Sequence, residues 1–376
     1  MEQILTPEKE NGEQEQITVN IGPQHPSTHG VLRLVVTLDG ERVVKCDPVV
    51  GYLHRALEKI AENRTYTQFI PLTDRVDYCA SMNSNLPWVM AVEKLAGIKP
   101  PPRAEYIRVI VCELNRIASH LVWWGTNLLD LGAVTPFNYA FRDRELILDL
   151  FEMLCGARLL YSYMRIGGVA KDLPDEFIPK TRKFIKHFRK VIKDYDRLVT
   201  GNVIFQGRTK NVGILTPEMA IGYGVTGPNL RASGVDWDLR RDDPYSAYPE
   251  LKFEVPVGKN GDCFDRYQVR MDEMRQSCNI VEQCLNKLPS GPVRLQDLPY
   301  KLRLPKGEVY VRTEAPRGEM GVYLVSDGKE KPYRAKIRTG SFSNLSVFPA
   351  MLPGTLFQDM VAISGSMDFI MPEIDR

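Results

Sequence analysis

Closely spaced thiols are what this chain most conspicuously lacks. Its seven cysteines, Cys46, Cys79, Cys112, Cys155, Cys263, Cys278 and Cys284, include no CxxC pair. That spacing argues against an iron–sulfur cluster or structural zinc held by this chain alone, and it suits a reducing compartment in which thiols serve as small hydrophobes. Nothing matches GxxxxGK[ST], no GxGxxG follows a strand and GxSxG is absent, so phosphate-loop, dinucleotide and serine-hydrolase chemistry have no motif behind them. No apolar run reaches the length of a membrane span. A net charge of +2 gives no basic excess for nucleic acid, which is set aside as a partner. Histidine is scarce as well, with five in 376 residues.

What is present reads as a large α+β body. The first residues, MEQILTPEKENGEQEQ, are acidic and polar, unlike a signal peptide, and 1–16 is expected to be a flexible arm that orders on a partner. Residues 17–376 show no internal repeat and no linker rich in Gly, Pro and Ser, which predicts a single domain. VLRLVVTLDGERVVKCDPVV alternates on both sides of Asp39-Gly40, a hairpin pattern, and GVYLVSDGKEKPYRAKIR predicts a second hairpin at Asp327-Gly328. Between them, helical periodicity predicts helices over 51–63, 77–95, from Pro101-Pro102 through Leu121, over 142–163, 175–200 and 265–288. The expectation is a central helical bundle flanked by β structure from both termini. The basic run from Lys180 to Lys193 reads as a solvated helix face, and the Met271, Met274, Cys278, Val281, Leu285 stripe as core.

Chemistry-bearing residues are few. Two of the five histidines, His25 and His29, share the stretch GPQHPSTHG. Pro23 and Pro26 remove backbone donors and fix φ there, so a loop, not a helical ligand pair, is expected. Asp130 interrupts an apolar run in TNLLDLGAVTPF, as a cap or an ion-pair partner would. Tyr78 in DRVDYCASM opens the second expected helix. His54-Arg55 falls in the first and His120 in the third, where a hydrogen-bonded core imidazole is the plainer role.

Taken in order, GPQHPSTHG, GYLHRALEKIAENRTY, DRVDYCASMN, PPRAEYIRV, LDLGAVTPF, GARLLYSYMRIGGV, LRASGVDWDLR, EAPRGEMGVYLVSDG and PEIDR form one co-linear series. It resembles the 49-kDa (D) subunit of respiratory complex I, a proton-translocating NADH:quinone oxidoreductase, from about Ile17 to Arg376. One departure, RIGGV at 165–169, has isoleucine where most members carry proline.

The resemblance implies a fold similar to the large subunit of nickel–iron hydrogenases, whose two CxxC pairs would fall at about Asp77 and Ala80, and Ile370 and Glu373. None of these positions is a thiolate, so no metal is expected and a hydrogenase is the remote alternative. The family places a quinone head group there instead. The resemblance implies that Tyr78 and His29 bind the quinone and donate to its carbonyls, that Asp130 orients His29, and that all three are catalytic. His25, His54 and Arg55 are then structural residues near the site. It also implies no cofactor in this chain alone, with electrons arriving from an iron–sulfur cluster in an adjacent subunit. The B and C subunits of the peripheral arm and the H and A subunits of the membrane arm are the implied partners. The implied location is peripheral, on the cytoplasmic side of a bacterial inner membrane. An equivalent subunit of a dehydrogenase fed by ferredoxin or by coenzyme F420 is the alternative on the same fold.

Overall fold

A computed structural model of the chain describes residues 7–8, 16–24, 30–296, 298–299 and 301–376. His25 and His29 lie outside the described residues, as does most of the expected arm over 1–16.

Pro7–Glu8 (β1), Gln16–Ile21 (β2), Arg33–Asp39 (β3) and Arg42–Val49 (β4) form an antiparallel sheet in sequence order. The first expected hairpin is present, with Asp39 opposite Arg42 and Gly40 at φ 58, a conformation glycine adopts without a Cβ penalty. Leu34, Val36 and Leu38 alternate inward along β3 and share a core with Val347, Phe348 and Leu352, so the two ends of the chain pack on each other.

Helices fill the middle: Leu57–Asn63 (α1), Tyr66–Thr73 (α2), Ser81–Ala96 (α3), Pro102–Asp130 (α4) and Val134–Cys155 (α5). A minimal hairpin, Met164–Arg165 (β5) and Gly168–Val169 (β6), precedes Phe177–Tyr195 (α6). Short helices Val203–Thr209 (α7), Pro217–Gly222 (α8), Pro228–Ala232 (α9) and Leu239–Asp242 (α10) lead to the long Cys263–Lys287 (α11). Helix α4 begins with Pro102 in its first turn, where the missing N–H costs nothing, and is buried nearly all round. It packs on α3, α5, α11 and the later α14 and is the axis of the bundle. Trp88, Trp123 and Trp124 are buried around it, each contributing roughly 1.5–3 kcal/mol by removal from water.

Gly307–Ala315 (β7), Gly318–Ser326 (β8) and Arg334–Arg338 (β9) form an antiparallel meander against α3. Gly340–Ser346 (α12), Phe348–Met351 (α13), Asp359–Met367 (α14) and Met371–Asp375 (α15) close the chain. The expected α+β class, a helical bundle with β structure toward both termini, is the observed one. The Met271 to Leu285 stripe of α11 is buried as core.

Several boundaries differ from the sequence expectation. The first helix starts at Leu57, not Gly51, because Ala56 is left-handed at φ 52 and the preceding backbone is tied elsewhere. Gly51 and Leu53 N–H groups donate to the Asp375 carboxylate, each at 2.7 Å. His54 and Arg55 therefore lie in a turn, not a helix. The second expected helix starts at Ser81, and α2 ahead of it, capped reciprocally by Thr65 and Gln68, has no counterpart in the sequence expectation. Helix α5 starts eight residues earlier than expected and ends at Cys155, where Gly156 at φ 79 supplies a left-handed cap. Helix α6 ends in a wider turn over Asp196–Thr200, closed by Gly201 N–H to Asp196 C=O.

Candidate functional site

Three segments far apart in sequence meet on one side of α4. They are the turn between α2 and α3, the β7–β8 turn, and the C-terminal α14–α15 segment. The α2–α3 turn is built by Asp77, whose Oδ1 accepts from the N–H groups of Cys79 and Ala80 at 3.1 and 3.2 Å. A side chain satisfying the amides that follow it is what ends one helix and aims the next. Tyr78, held between these groups, is 42% exposed and lies in the turn, not in the helix the sequence placed it in. Partial burial, with Cys79 and the acids Asp77 and Asp368 nearby, pushes its phenol up to about 12. Tyr78 is therefore a neutral hydrogen-bond donor throughout the physiological range.

Beneath Tyr78 lies Arg317, carried inward by the β7–β8 turn. Its Nη1 donates to Asp77 Oδ2 at 2.8 Å and to Ser119 Oγ of α4 at 3.0 Å, and its Nη2 to Asp368 Oδ1 at 3.1 Å. Burial opposes the guanidinium's charge, but Asp368 and Asp77 outweigh it and hold the arginine firmly ionised. Arg270 of α11 adds a second buried cation, 3.7 Å from Asp368 Oδ2. Asp368 itself is left-handed at φ 52, which turns the chain from α14 toward α15. Glu373 completes the group: Oε2 accepts from the Ser341 hydroxyl and from Ser341 N–H at 3.3 Å, while Oε1 has no hydrogen-bond partner among the described residues. Burial first, and then Asp77, pushes Glu373 up from 4.5 to about 7.

The four positions where the resemblance implied cysteine pairs thus hold Asp77, Ala80, Ile370 and Glu373, with Asp77 and Glu373 in one electrostatic cluster. Cys79 sits among them, its thiol pushed up to about 12 chiefly by burial. Among the described residues, no group of three or more His, Cys, Asp or Glu side chains is placed to hold a metal ion.

Asp130 is the last residue of α4, eleven positions beyond Ser119 and therefore about 16 Å along the axis from the Arg317 contact. Its carboxylate approaches α14 so closely that a Cβ on Gly365 would lie 3.5 Å from Oδ2. Gly365 in turn precedes Asp368 by three residues at the end of α14, so the same helix touches both Asp130 and the cluster. Gly30, which follows His29, sits against Met371 at the start of α15, 3.6 Å from an added Cβ to that side chain. His29 and His25 fall outside the described residues. His54 Nδ1 donates to the Asp375 carbonyl at 2.7 Å, and Arg55 is exposed beside it. Both stand near the C-terminal helix and away from the Tyr78 turn's hydrogen bonds.

The sequence reading did not single out Arg317, Asp368 and Glu373 as members of this buried cluster, although the EAPRG and PEIDR stretches of the co-linear series carry two of them. His120 is the hydrogen-bonded core imidazole expected, in a second buried network whose other members the sequence did not single out. His120 of α4 meets Glu273 of α11 at 2.8 Å through Nε2, and Glu273 meets Arg231 at 2.6 Å. Burial holds the imidazole below its ordinary value, whereas Arg231 and His120 overcome burial to hold Glu273 well down. The neutral ring therefore donates through Nε2 to an ionised carboxylate, while Nδ1 is buried with no hydrogen-bond partner among the described residues.

A fold of this kind, with a buried acid–guanidinium cluster under an exposed phenol, defines an α+β protein that presents a fixed, neutral hydrogen-bond donor at its surface. The chain belongs to the family described as respiratory-chain NADH dehydrogenase, 49 Kd subunit, whose model matches residues 130–303 and 298–376. It is 54% identical over 362 residues to the D subunit of NADH-quinone oxidoreductase from Clostridium beijerinckii, covering 96% of this chain and 98% of that protein. The same description belongs to a Syntrophobacter fumaroxidans protein, 54% identical over 359 residues and 96% of each chain. A Bacillus anthracis relative is 52% identical over 361 residues, 96% of this chain and 99% of its own. Among the described residues, no helix is long and apolar enough to cross a membrane.

Proposed function

We propose that this chain forms the quinone-binding wall of an NADH:quinone oxidoreductase, receiving electrons through the terminal iron–sulfur cluster of an adjacent subunit. The observation that carries this is Tyr78, a neutral phenol left partly exposed on a turn that Asp77 and Arg317 lock from below. A quinone carbonyl accepts hydrogen bonds, and its two-electron reduction takes up two protons, so a fixed, neutral donor suits both binding and protonation. The phenol donates to one carbonyl. His29 donates to the quinone as well, and Asp130 orients its ring and favours its charged form. Gly30, the residue after His29, lies beside Met371 of the C-terminal helix. His25, His54 and Arg55 hold the surroundings and touch no substrate.

In this reading the wall is shared with the B subunit of the peripheral arm, with the C subunit alongside and the membrane subunits H and A below. The chain binds no cofactor by itself. It lies peripherally on the cytoplasmic side of the inner membrane, and quinone reduction is coupled to ion translocation in the membrane arm. The test is Tyr78→Phe in the assembled complex, read as quinone reduction beside electron delivery to an artificial acceptor that intercepts upstream. Unchanged quinone kinetics would place the site elsewhere.

A further inference from the structure

Pairing is uneven in the cluster beneath Tyr78. Of three buried acids, Asp77 and Asp368 pair with the buried guanidinium groups of Arg317 and Arg270, and Glu373 pairs with neither. Arg317 is committed to Asp77 and Asp368, and Arg270 to Asp368, Asn229 and the backbone carbonyls of Ser366 and Met367. Among the described residues, no guanidinium bonds Glu373, only Ser341 bonds Oε2, and the buried Oε1 has no donor. An ionised carboxylate with one naked oxygen is costly in such a place, whereas a neutral carboxyl group tolerates it. Two acids in one desolvated site separate in the usual way, one ionised and one protonated.

We propose that the Asp77–Glu373 pair holds one exchangeable proton, resident on Glu373, as the reservoir that resupplies the quinone site through the Tyr78 turn. The proposal rests on the quinone reading above. When the quinone takes two electrons from the neighbouring cluster and two protons from its donors, one of those protons is replaced from this pair. The Tyr78 phenol gives its proton to the reduced quinone, the Glu373 O–H bond breaks, the O–H bond of Tyr78 re-forms with that proton, and Glu373 is left as a carboxylate until solvent restores its proton. Glu373 touches no substrate; it is coupled electrostatically to Asp77, whose Oδ1 holds the amides of the turn that presents Tyr78.

The charged and titratable groups facing Glu373 come from several elements. Asp77 belongs to the α2–α3 turn, Arg317 to the β7–β8 turn and Ser341 to α12. Arg376 stands on its own segment, with Arg338 of β9 and Glu58 of α1 behind it. Burial and Asp77 raise Glu373, and Arg317 and the Ser341 hydrogen bonds hold it from rising further, so that it titrates at about 7.

The test uses the intact complex carrying Glu373→Gln, Glu373→Asp, Ser341→Ala or Tyr78→Phe, with quinone reduction measured against pH beside upstream electron delivery. Glutamine keeps the shape and cannot release a proton. The expected result for Glu373→Gln is roughly a tenfold loss of quinone turnover below neutrality. The loss should shrink to about twofold or less at alkaline pH, where the wild-type group is already ionised, and upstream delivery should be unchanged. The inflection near neutral pH disappears in Glu373→Gln and survives, shifted, in Glu373→Asp. Ser341→Ala removes a donor to the ionised form and moves the inflection to higher pH, which keeps the proposal testable if the glutamine variant does not assemble. Infrared difference spectra between acid and alkaline samples give a readout independent of quinone, namely a protonated-carboxyl band lost on raising the pH and absent in Glu373→Gln. A wild-type pH profile in Glu373→Gln or an unmoved inflection in Ser341→Ala overturns the proposal. If Tyr78→Phe slows quinone reduction while Glu373→Gln is silent, only the reservoir fails. If Tyr78→Phe is itself silent, the site reading fails with it.

Discussion

Arg317 and Asp77 stand 240 residues apart in the chain and 2.8 Å apart in space. The contact joins the β7–β8 turn to the α2–α3 turn and fixes the backbone that presents Tyr78. Because both partners are buried, neither can turn to water if the other is lost.

Arg317→Met keeps much of the side chain's bulk and removes its charge, leaving Asp77 and Asp368 without their main cation. Breaking a buried pair in this way typically costs about 3–5 kcal/mol. The expected outcome is a sharp fall in the yield and thermal midpoint of the assembled complex. Adding Asp368→Asn to the same chain should recover part of the loss, because the two residues share one network. A single variant as stable as wild type would show the cluster to be looser than its geometry implies.

Gly365→Ala tests the seat of Asp130. A Cβ there would fall 2.5 Å from Asn127 Oδ1 and 3.5 Å from Asp130 Oδ2, and Asn127 is too buried to swing away. Overpacking of this kind costs about 1–3 kcal/mol. Thermal denaturation of the complex should show that loss, and quinone turnover should fall further than stability alone explains, since the end of α4 must shift.

Tyr78→Phe removes one hydroxyl and keeps the ring. Loss of a hydrogen bond worth about 0.5–1.5 kcal/mol should weaken quinone affinity roughly threefold to tenfold, with turnover falling as well. Asp130→Asn keeps size and removes charge. It should depress turnover more than affinity, by destabilising protonated His29. Steady-state kinetics with a soluble quinone separate the two signatures.

The stability of the folded chain should depend on pH through Glu373. Its folded value, about 7, lies above the ordinary 4.5, so folding favours the neutral acid. The stabilisation is complete below about pH 4.5 and is lost as pH rises through about 7, amounting to roughly 3 kcal/mol by about pH 8. Glu373→Gln should flatten that limb of the denaturation profile. A variant whose stability falls over the same window as wild type would assign the titration to another group.

The periodic elements were legible in the sequence. Alternation marked β3, β4 and the turn at Gly40, and helical spacing with Pro102 marked α4. The motif series also pointed to Tyr78 and Asp130. Boundaries failed where a distant residue captured the backbone. Asp375 takes the amides of Gly51 and Leu53 and unwinds the expected start of α1, which puts His54 and Arg55 in a turn.

The sequence by itself determined the local choices, because propensity, proline placement and hydrophobic period act over a few residues. Only the tertiary structure decided the cluster beneath Tyr78. Asp77, Arg317, Asp368 and Glu373 are each ordinary surface residue types, and no local pattern marks them as buried. They become a site because folding removes them from water together. In that desolvated space Asp77 and Asp368 bond Arg317 and Glu373 does not, and burial with Asp77 nearby favours the neutral form of Glu373.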